Sequence, residues 1–170
     1  MAKKNWGPSL WYLLHSISYF YPSHPNHNDI YIHNRFFNGC VPNMILCIYC
    51  RSHYMNYIRS TPVNLNSKET LIQWVINLHN DVNRRTESVE YSRKEVDSIY
   101  YGKNFSHKRF YKLLAYYTTN ELNNVNFLQV YISIFKHLAY VLPCIKCRNY
   151  IINQLNHNNI NKSYRNIVDN

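Results

Sequence analysis

The chain has 170 residues, which suits one compact domain with at most a short appendage, and its 3 glycines and 6 prolines are too few for the many tight turns of a β-sandwich or β-barrel. Its 19 Lys and Arg against 9 Asp and Glu give a formal charge of +10, which favours anionic surfaces or acidic partners. These basic residues are scattered in ones and twos, so nucleic acid is not an expected partner.

Helical periodicity begins near the N-terminus. Pro8 suits the first turn of a helix, where its missing N–H costs nothing. Apolar side chains then recur every three or four residues from Leu10 to about Phe20. Pro22 and Pro25 follow and end this predicted helix.

A second helical pattern contains Phe36 and Phe37 and runs to about Asn38. Gly39 and Pro42 come next, and both residue types are poor helix formers. We therefore expect the chain to be interrupted here, before the first cysteine pair.

Three more helices are predicted in the following stretch. The first begins at Cys47-Ile48-Tyr49-Cys50 and ends at Thr61-Pro62. Ser67 is the expected cap of a longer helix with a wide apolar face. A capping box at Ser92 opens a short helix that ends near Gly102. Together these patterns predict an all-α fold.

The last third of the chain resembles the first. Segment 110–117 is similar to the first helix, 127–140 to the second, and 142–151 to the stretch around the first cysteine pair. The copy has no counterpart of Trp6-Gly7 or of the helix after Ser67. We interpret it as a partial, degenerate repeat, the alternative being chance similarity between two Tyr- and Asn-rich stretches.

This repeat suggests a domain division. Residues 1–102 would form the main domain, and residues 103–170 a C-terminal helical region with its own cysteine pair. The N-terminus lacks the apolar core of a signal peptide, and no apolar run approaches the roughly 20 residues of a membrane span. We therefore expect a cytoplasmic protein.

Cysteines carry the clearest chemical signal. Cys47 and Cys50 stand three positions apart at an expected helix N-terminus, which favours the thiolate, and they can close a small disulfide ring. Cys144 and Cys147 have the same spacing, whereas Cys40 has no local partner and is expected to be a buried thiol. In a reducing compartment, such pairs are more often redox-active or metal-bound than structural.

A polar cluster lies on the helix after Ser67. His79, Asn80 and Asn83 share one face beside the apolar stripe, with Arg84 next to them. These side chains offer hydrogen-bond donors and a cation to a flat ligand that bears phosphate. Taken alone, the same pattern is typical of an ordinary solvated helix face.

Together these motifs resemble the ERV/ALR family of FAD-linked sulfhydryl oxidases. The resemblance covers roughly Asn5 to Glu87 and rests on three motifs in the family's order: Trp6-Gly7 with Trp11 and His15, then Cys47-x-x-Cys50-x-x-His53, then His79-Asn80-x-Val82-Asn83-Arg84. The small size and the Asn- and Tyr-rich composition resemble a member encoded by a large DNA virus, in which case the host cytoplasm or the virion is the expected location.

The resemblance implies a four-helix bundle with a short fifth helix, which binds FAD at one end and pairs as a homodimer. Residues of the first helix and of the cysteine helix would line the flavin pocket. They are Trp6, Gly7, Trp11, His15, Tyr19 and His53. Residues of the polar cluster would hold the adenine and diphosphate end. They are His79, Asn80, Val82, Asn83 and Arg84.

The resemblance also implies an electron path. Cys47 would exchange with the dithiol of a protein substrate or of a thioredoxin-like carrier, and Cys50 would pass electrons to FAD, with O2 as the final acceptor and H2O2 as the product. Tyr49, between the two cysteines, would pack on the flavin or fill the core, and we favour the core.

Family members use a second, mobile cysteine pair as a shuttle, and Cys144–Cys147 is the candidate here. Its place in an ordered helical copy would hold it away from Cys47, so a structural or vestigial disulfide is an equal alternative and both roles stay open. Two alternatives to the oxidase also remain. The four paired cysteines would ligate zinc, with His53 or His79 able to replace one of them, or the chain would be a helical interaction module without redox turnover.

Overall fold

The computed structural model describes residues 6–106, 108–110, 112–113 and 125–156, and it contains helices and no strand within these ranges. The all-α prediction is thus confirmed. The helices are α1 (Gly7–Phe20), α2 (His27–Arg35), α3 (Val41–Met44), α4 (Ile48–Ser60), α5 (Lys68–Arg85), α6 (Arg93–Tyr100), α7 (Val125–Val141) and α8 (Ile145–Asn156).

Helix starts follow the local capping signals. The Ser67 side chain accepts the Thr70 N–H at 3.2 Å, and the Ser92 side chain accepts the Glu95 N–H at 3.3 Å, so α5 and α6 begin where the sequence predicts. Asn26 caps α2 in the same way by accepting the N–H groups of Asn28 and Asp29.

The expected interruption at Gly39 and Pro42 is wrong. Helical backbone is continuous from α2 to α3, because residues Phe36–Cys40 form a π-helical turn in which the Val41 N–H bonds the Phe36 carbonyl. Pro42 lies in the first turn of α3 and has no N–H to donate, and the Phe37 carbonyl five positions before it accepts the Tyr54 hydroxyl instead. The wider turn keeps both Phe36 and Phe37 fully buried, and this burial outweighs the poor helix propensity of its residues.

The larger of two clusters of buried side chains among the described residues lies between α1, α3, α4 and α5. Its centre includes Leu13, Phe37 and Leu78, and buried polar atoms in it are bonded to backbone. The Tyr54 hydroxyl donates to the Phe37 carbonyl at 2.8 Å, and the Tyr21 hydroxyl donates to a loop carbonyl at 3.0 Å. This packing fixes α4, which begins with the first cysteine pair, against its neighbours.

The C-terminal helices extend the same cluster. Helix α7 packs against α2, the π-helical turn and α3, and α8 packs on α7. Ile134 and Leu138 of α7 are buried together with Phe36 and Phe37 in one cluster. The division at residue 102 stays a prediction, and the shared cluster suggests that the two parts stabilise each other. Most of segment 110–117, the proposed copy of the first helix, falls outside the described residues.

The two cysteine segments share one local structure. In each, the first sulfur accepts the N–H of the second cysteine, at 3.2 Å for Cys47 and 3.0 Å for Cys144. In each, an arginine one position after the pair folds back onto a backbone carbonyl, Arg51 onto Ile45 and Arg148 onto Leu142. This agreement is what the proposed repeat predicts for these segments.

No helix within the described ranges is both long enough and apolar enough to cross a lipid bilayer.

We predict that Leu138→Ala destabilises the N-terminal part of the chain. Leu138 is fully buried, and its truncation should lower the free energy of unfolding by about 2–5 kcal/mol. All 3 tryptophans precede residue 75, so the urea transition followed by tryptophan fluorescence reports on the N-terminal part alone.

The matched control is Tyr140→Ala on the same helix, where the side chain is exposed and the expected change is within about 0.5 kcal/mol. A tryptophan transition that Leu138→Ala leaves in place would show that the C-terminal helices unfold separately.

Candidate active site

The first cysteine pair opens α4. Cys47 is its N-cap residue and Cys50 lies in its first turn, and the two sulfurs form a disulfide with the Cα atoms 5.2 Å apart. Both cysteines are partly exposed. The pair therefore combines access from solvent with a helix N-terminus that favours a thiolate after reduction.

Side chains between the cysteines face solvent. Ile48 is 72% exposed and Tyr49 is 85% exposed. The interpretation that Tyr49 fills the core is therefore wrong. Cys47 and Cys50, three positions apart, lie on the same side of the helix start, and this side packs against the rest of the protein. Ile48 and Tyr49 therefore point to the opposite side, towards solvent.

A cavity of about 170 Å³ lies beside Cys50, between α1, α4 and α5. Its walls are mainly apolar and aromatic. The lining residues are Trp6, Gly7, Leu10, Trp11, Leu14, Ile45, Cys50, His53, Tyr54, Leu78, Val82 and Thr86. The structure thus brings together six residues predicted for the site from three separate segments of the chain.

His15 and His79 form a buried pair next to this cavity. His15 Nε2 lies 3.0 Å from His79 Nδ1, and the Trp11 ring stacks on His79 at 3.9 Å between centroids. Burial, with the neighbouring His79, lowers the pKa of His15 to about 3, and burial lowers the pKa of His79 to about 4. Both rings are neutral at pH 7, so one can donate to the other.

Tyr19 lies further along the same face of α1. Its hydroxyl donates to Asp97 of α6, and its ring stacks on Tyr100, which also stacks on His15. Tyr100 and Asp97 are contacts that sequence reasoning missed, since nothing in the pattern of α6 shows that it packs on α1.

The polar residues at the end of α5 hold the loop that follows. The Asn80 side chain exchanges two hydrogen bonds with the backbone of Tyr91, at 2.8 and 2.9 Å, and Asn83 donates to the Val89 carbonyl at 2.9 Å. Arg84 pairs with Glu90 at 2.5 Å. The structure therefore shows these three residues in loop contacts, and their contacts with a cofactor stay predictions.

Asp81 is a site residue that the sequence reasoning left without a role. Its Oδ2 atom lies 2.7 Å from His53 Nε2, across the interface between α4 and α5. The sequence offered one indication of a role for Asp81: it is an acidic residue at the variable position of the motif His79-Asn80-x-Val82-Asn83-Arg84. Without the helix packing, that position gave no indication of its partner.

The second cysteine pair has different surroundings. Cys144 is partly exposed and Cys147 is buried, and burial together with a hydrogen bond to Cys144 raises the pKa of Cys147 to about 12. Tyr150 occupies the position that corresponds to His53. Cys40 is buried as expected, with burial raising its pKa to about 12 and its sulfur 3.9 Å from the Ile134 carbonyl.

Within the described part of the chain, no three His, Cys, Asp or Glu side chains converge as metal ligands would. The zinc alternative requires both cysteine pairs at one point, and the structure does not place them so.

The cavity fits one end of a flavin cofactor. A ring system needs flat apolar walls, which Trp6, Trp11 and Leu14 supply, together with polar groups at its edge. His15 Nδ1 is buried and has no hydrogen-bond partner among the described residues, so a ligand atom can satisfy it. His53 adds a second polar group on the opposite wall, next to Cys50.

The chain is similar to known proteins. The Erv1/Alr family model matches residues 8–101. A FAD-linked sulfhydryl oxidase of African swine fever virus is 30% identical over 96 residues, which are 56% of this chain and 80% of that protein. The mitochondrial FAD-linked sulfhydryl oxidase ERV1 of Saccharomyces cerevisiae is 32% identical over 79 residues, 46% of this chain and 41% of that protein.

A solved structure is also similar. The crystal structure of the FAD binding domain of Erv1 from Saccharomyces cerevisiae matches with a TM-score of 0.55 and 27% identity, over 59% of this chain and 94% of that one.

We predict that the ligand-free protein loses stability in mild acid because of the buried histidine pair. Each folded-state pKa lies below the ordinary value of 6.5, so below about pH 6.5 the unfolded chain binds protons that the folded chain does not. The free energy of unfolding should fall by about 1.4 kcal/mol per pH unit for each histidine as the pH drops towards 4.

Urea titrations between pH 7 and pH 4.5 measure this slope, and His15→Gln should reduce it by the share of one histidine. If His15→Gln does not change the pH dependence of the free energy of unfolding, the loss of stability in acid does not come from this histidine pair.

Proposed function

We propose that this chain, a member of the Erv1/Alr family, is a FAD-dependent thiol oxidase that forms disulfide bonds in protein substrates. The observation that carries the proposal is the position of Cys50. It shares a disulfide with Cys47 at the start of α4 and also lines the cavity that suits a flavin ring.

Substrate oxidation begins at the exposed disulfide. A substrate thiolate attacks one sulfur, forms a mixed disulfide and displaces the other as a thiolate, and the second substrate thiol then releases the first cysteine. We assign the attacked sulfur to Cys47, the N-cap residue, and the displaced sulfur to Cys50, which lines the cavity. The positive end of the α4 dipole, at its N-terminus, stabilises the Cys50 thiolate.

The balance of a turnover is two thiols and one O2 converted to one disulfide and one H2O2. FAD, when bound, would supply the acceptor for the two electrons of the reduced cysteine pair and the means to pass them to O2. The protein's part is to hold Cys50 at the cavity and to keep bulk water from its apolar walls.

The proposed cofactor contacts follow the two ends of the site. Trp6, Gly7, Trp11 and His53 line the cavity at the flavin end. His15, with its unsatisfied Nδ1, and Tyr19 continue this site along α1. His79, Asn80, Val82, Asn83 and Arg84 are assigned to the adenine and diphosphate end, where the Arg84 cation suits phosphate.

Protein thiols are the proposed substrates because the surface beside the disulfide is apolar. Ile48 and Tyr49, both largely exposed, flank the sulfurs and can contact an extended chain or a thioredoxin-like carrier. The homodimer and the cytoplasmic location expected from the sequence remain part of this proposal.

For Cys144–Cys147, we propose the shuttle role, with Cys144 as the accessible sulfur. Its partial exposure suits an attack on Cys144 from outside. The raised pKa of buried Cys147 makes this sulfur a poor leaving group, which slows that step. A structural disulfide is the alternative, and the packing of α8 on α7 favours it.

We predict that Cys50→Ser abolishes O2 consumption with dithiothreitol as the thiol donor, because no cysteine then passes electrons from the cavity wall. An oxygen electrode measures the rate, and the flavin absorbance of the purified protein measures cofactor content. Cys40→Ala is the control and should retain the wild-type rate.

An unchanged rate in Cys50→Ser would refute the assigned electron path. A wild-type protein that folds but neither binds FAD nor consumes O2 would favour the interaction module instead.

We predict that Cys144→Ser slows the oxidation of protein substrates but not that of small dithiols. If the second pair is a shuttle, kcat/KM should fall about tenfold for a reduced protein substrate and stay unchanged for dithiothreitol, which reaches Cys47 directly. If Cys144→Ser keeps the wild-type kcat/KM on both substrates, Cys144–Cys147 has a structural role.

A further inference from the structure

We propose that Asp81 is a positioning residue that holds His53 with its proton on Nε2, so that Nδ1 can accept the proton of the Cys50 thiol. This inference rests on the proposed thiol oxidation, and it gives a role to the one residue of the α5 motif that had none.

The contact between Asp81 and His53 joins two helices at the edge of the cavity. His53 belongs to α4 and Asp81 to α5, and the Nε2–Oδ2 distance is 2.7 Å. The side chains are 16% and 28% exposed. Both atoms are fully shielded from solvent, and neither makes a hydrogen bond within the part of the chain that the structure describes, so their contact is a close approach of donor and acceptor without hydrogen-bond geometry. Each is the polar group that lies closest to hand for the other, and a small rotation of the His53 ring would complete the bond.

The other oxygen of this carboxylate faces a cation. Arg84 lies 3.8 Å from Asp81 Oδ1, while its shorter contact, at 2.5 Å, goes to Glu90. The field of Asp81 also reaches Tyr57 on α4, since burial and this carboxylate together raise the pKa of the Tyr57 hydroxyl. Glu90 thus draws Arg84 away, and the inner face of Asp81 is left for His53.

A carboxylate next to an imidazole selects its tautomer. The carboxylate only accepts hydrogen bonds, so the facing Nε2 must carry the proton. In a neutral ring the other nitrogen, Nδ1, is then the acceptor. Asp81 would hold this form and the ring orientation, in the way that carboxylates orient catalytic histidines in other enzymes.

Cys50 is suitably placed to be the proton donor. It precedes His53 by three positions on α4, and both side chains line the cavity. Helical side chains lean towards the N-terminus, which inclines the His53 ring towards the turn that holds Cys50. Cys50 is displaced as a thiolate and can take up a proton from solvent before it is reoxidised. The proposed step moves that one proton: the Cys50 thiol becomes a thiolate again, and neutral His53 becomes an imidazolium whose Nε2–H faces Asp81.

The second cysteine pair provides an internal contrast. It repeats the local geometry of the first, but Tyr150 stands in the place of His53. A phenol does not accept a thiol proton near neutral pH. The proposed proton acceptor is therefore specific to the pair at the cavity.

The experiment combines histidine nitrogen-15 NMR with steady-state kinetics on the FAD-loaded protein. His53→Gln identifies the His53 signals. In the wild type near pH 7.5, we expect His53 to be neutral with its proton on Nε2. In Asp81→Asn, whose amide can also donate, the Nδ1–H form should appear, and kcat with dithiothreitol should fall about tenfold while KM changes less than about twofold. Asp81→Glu should restore most of both properties.

Glu69→Gln is the matched control, since it removes the same charge from an exposed position on the same helix and should behave as the wild type. The proposal is overturned if wild-type His53 carries its proton on Nδ1 or is doubly protonated, a result that needs no variant to fold. It is also overturned if Asp81→Asn retains the wild-type tautomer and kcat. A wild type without FAD or O2 consumption refutes the oxidase instead, and the NMR result still decides the Asp81–His53 contact.

Discussion

The site depends on a disulfide that has one side open to solvent and the other against an apolar cavity. This arrangement exists because Cys47 is the N-cap of α4 and the first turn of the helix places Cys50 on the cavity wall. Arg51 secures the entry to the helix by donating two hydrogen bonds to the Ile45 carbonyl, at 3.1 and 3.0 Å. Exposure of the pair to substrate and its proximity to a cofactor site both follow from this one geometry.

Two pairs of polar side chains meet beside the apolar walls of the site. His15 bonds to His79, and His53 contacts Asp81, so that each group removed from water has a polar neighbour. Each pair also joins two helices, α1 to α5 and α4 to α5. The same contacts that reduce the cost of burial therefore set the spacing of the helices around the cavity.

The C-terminal helices show that a local motif alone does not make this site. Around Cys144 the chain repeats the hydrogen bonds found around Cys47, including the arginine that binds the preceding carbonyl. Yet Cys147 is buried in the shared core, and Tyr150 replaces histidine. Surroundings supplied by α1 and α5, and not the cysteine spacing, distinguish the first pair chemically.

Much of the secondary structure was determined by the sequence itself, because capping acts over three or four residues. Ser67 and Ser92 marked helix starts correctly, the cysteine spacing indicated a disulfide, and the motif order indicated the family and its cofactor. Local signals failed at Gly39 and Pro42, where burial of two phenylalanines overrides helix propensity.

Tertiary structure alone decided which side chains meet. The exposure of Tyr49, the packing of α7 on α2 and the contact of His53 with Asp81 depend on how helices pack. Partners such as these lie 28 residues or more apart in the chain, a separation over which capping and helical periodicity carry no information. Only the balance between burying apolar surface and satisfying buried polar groups brings them together.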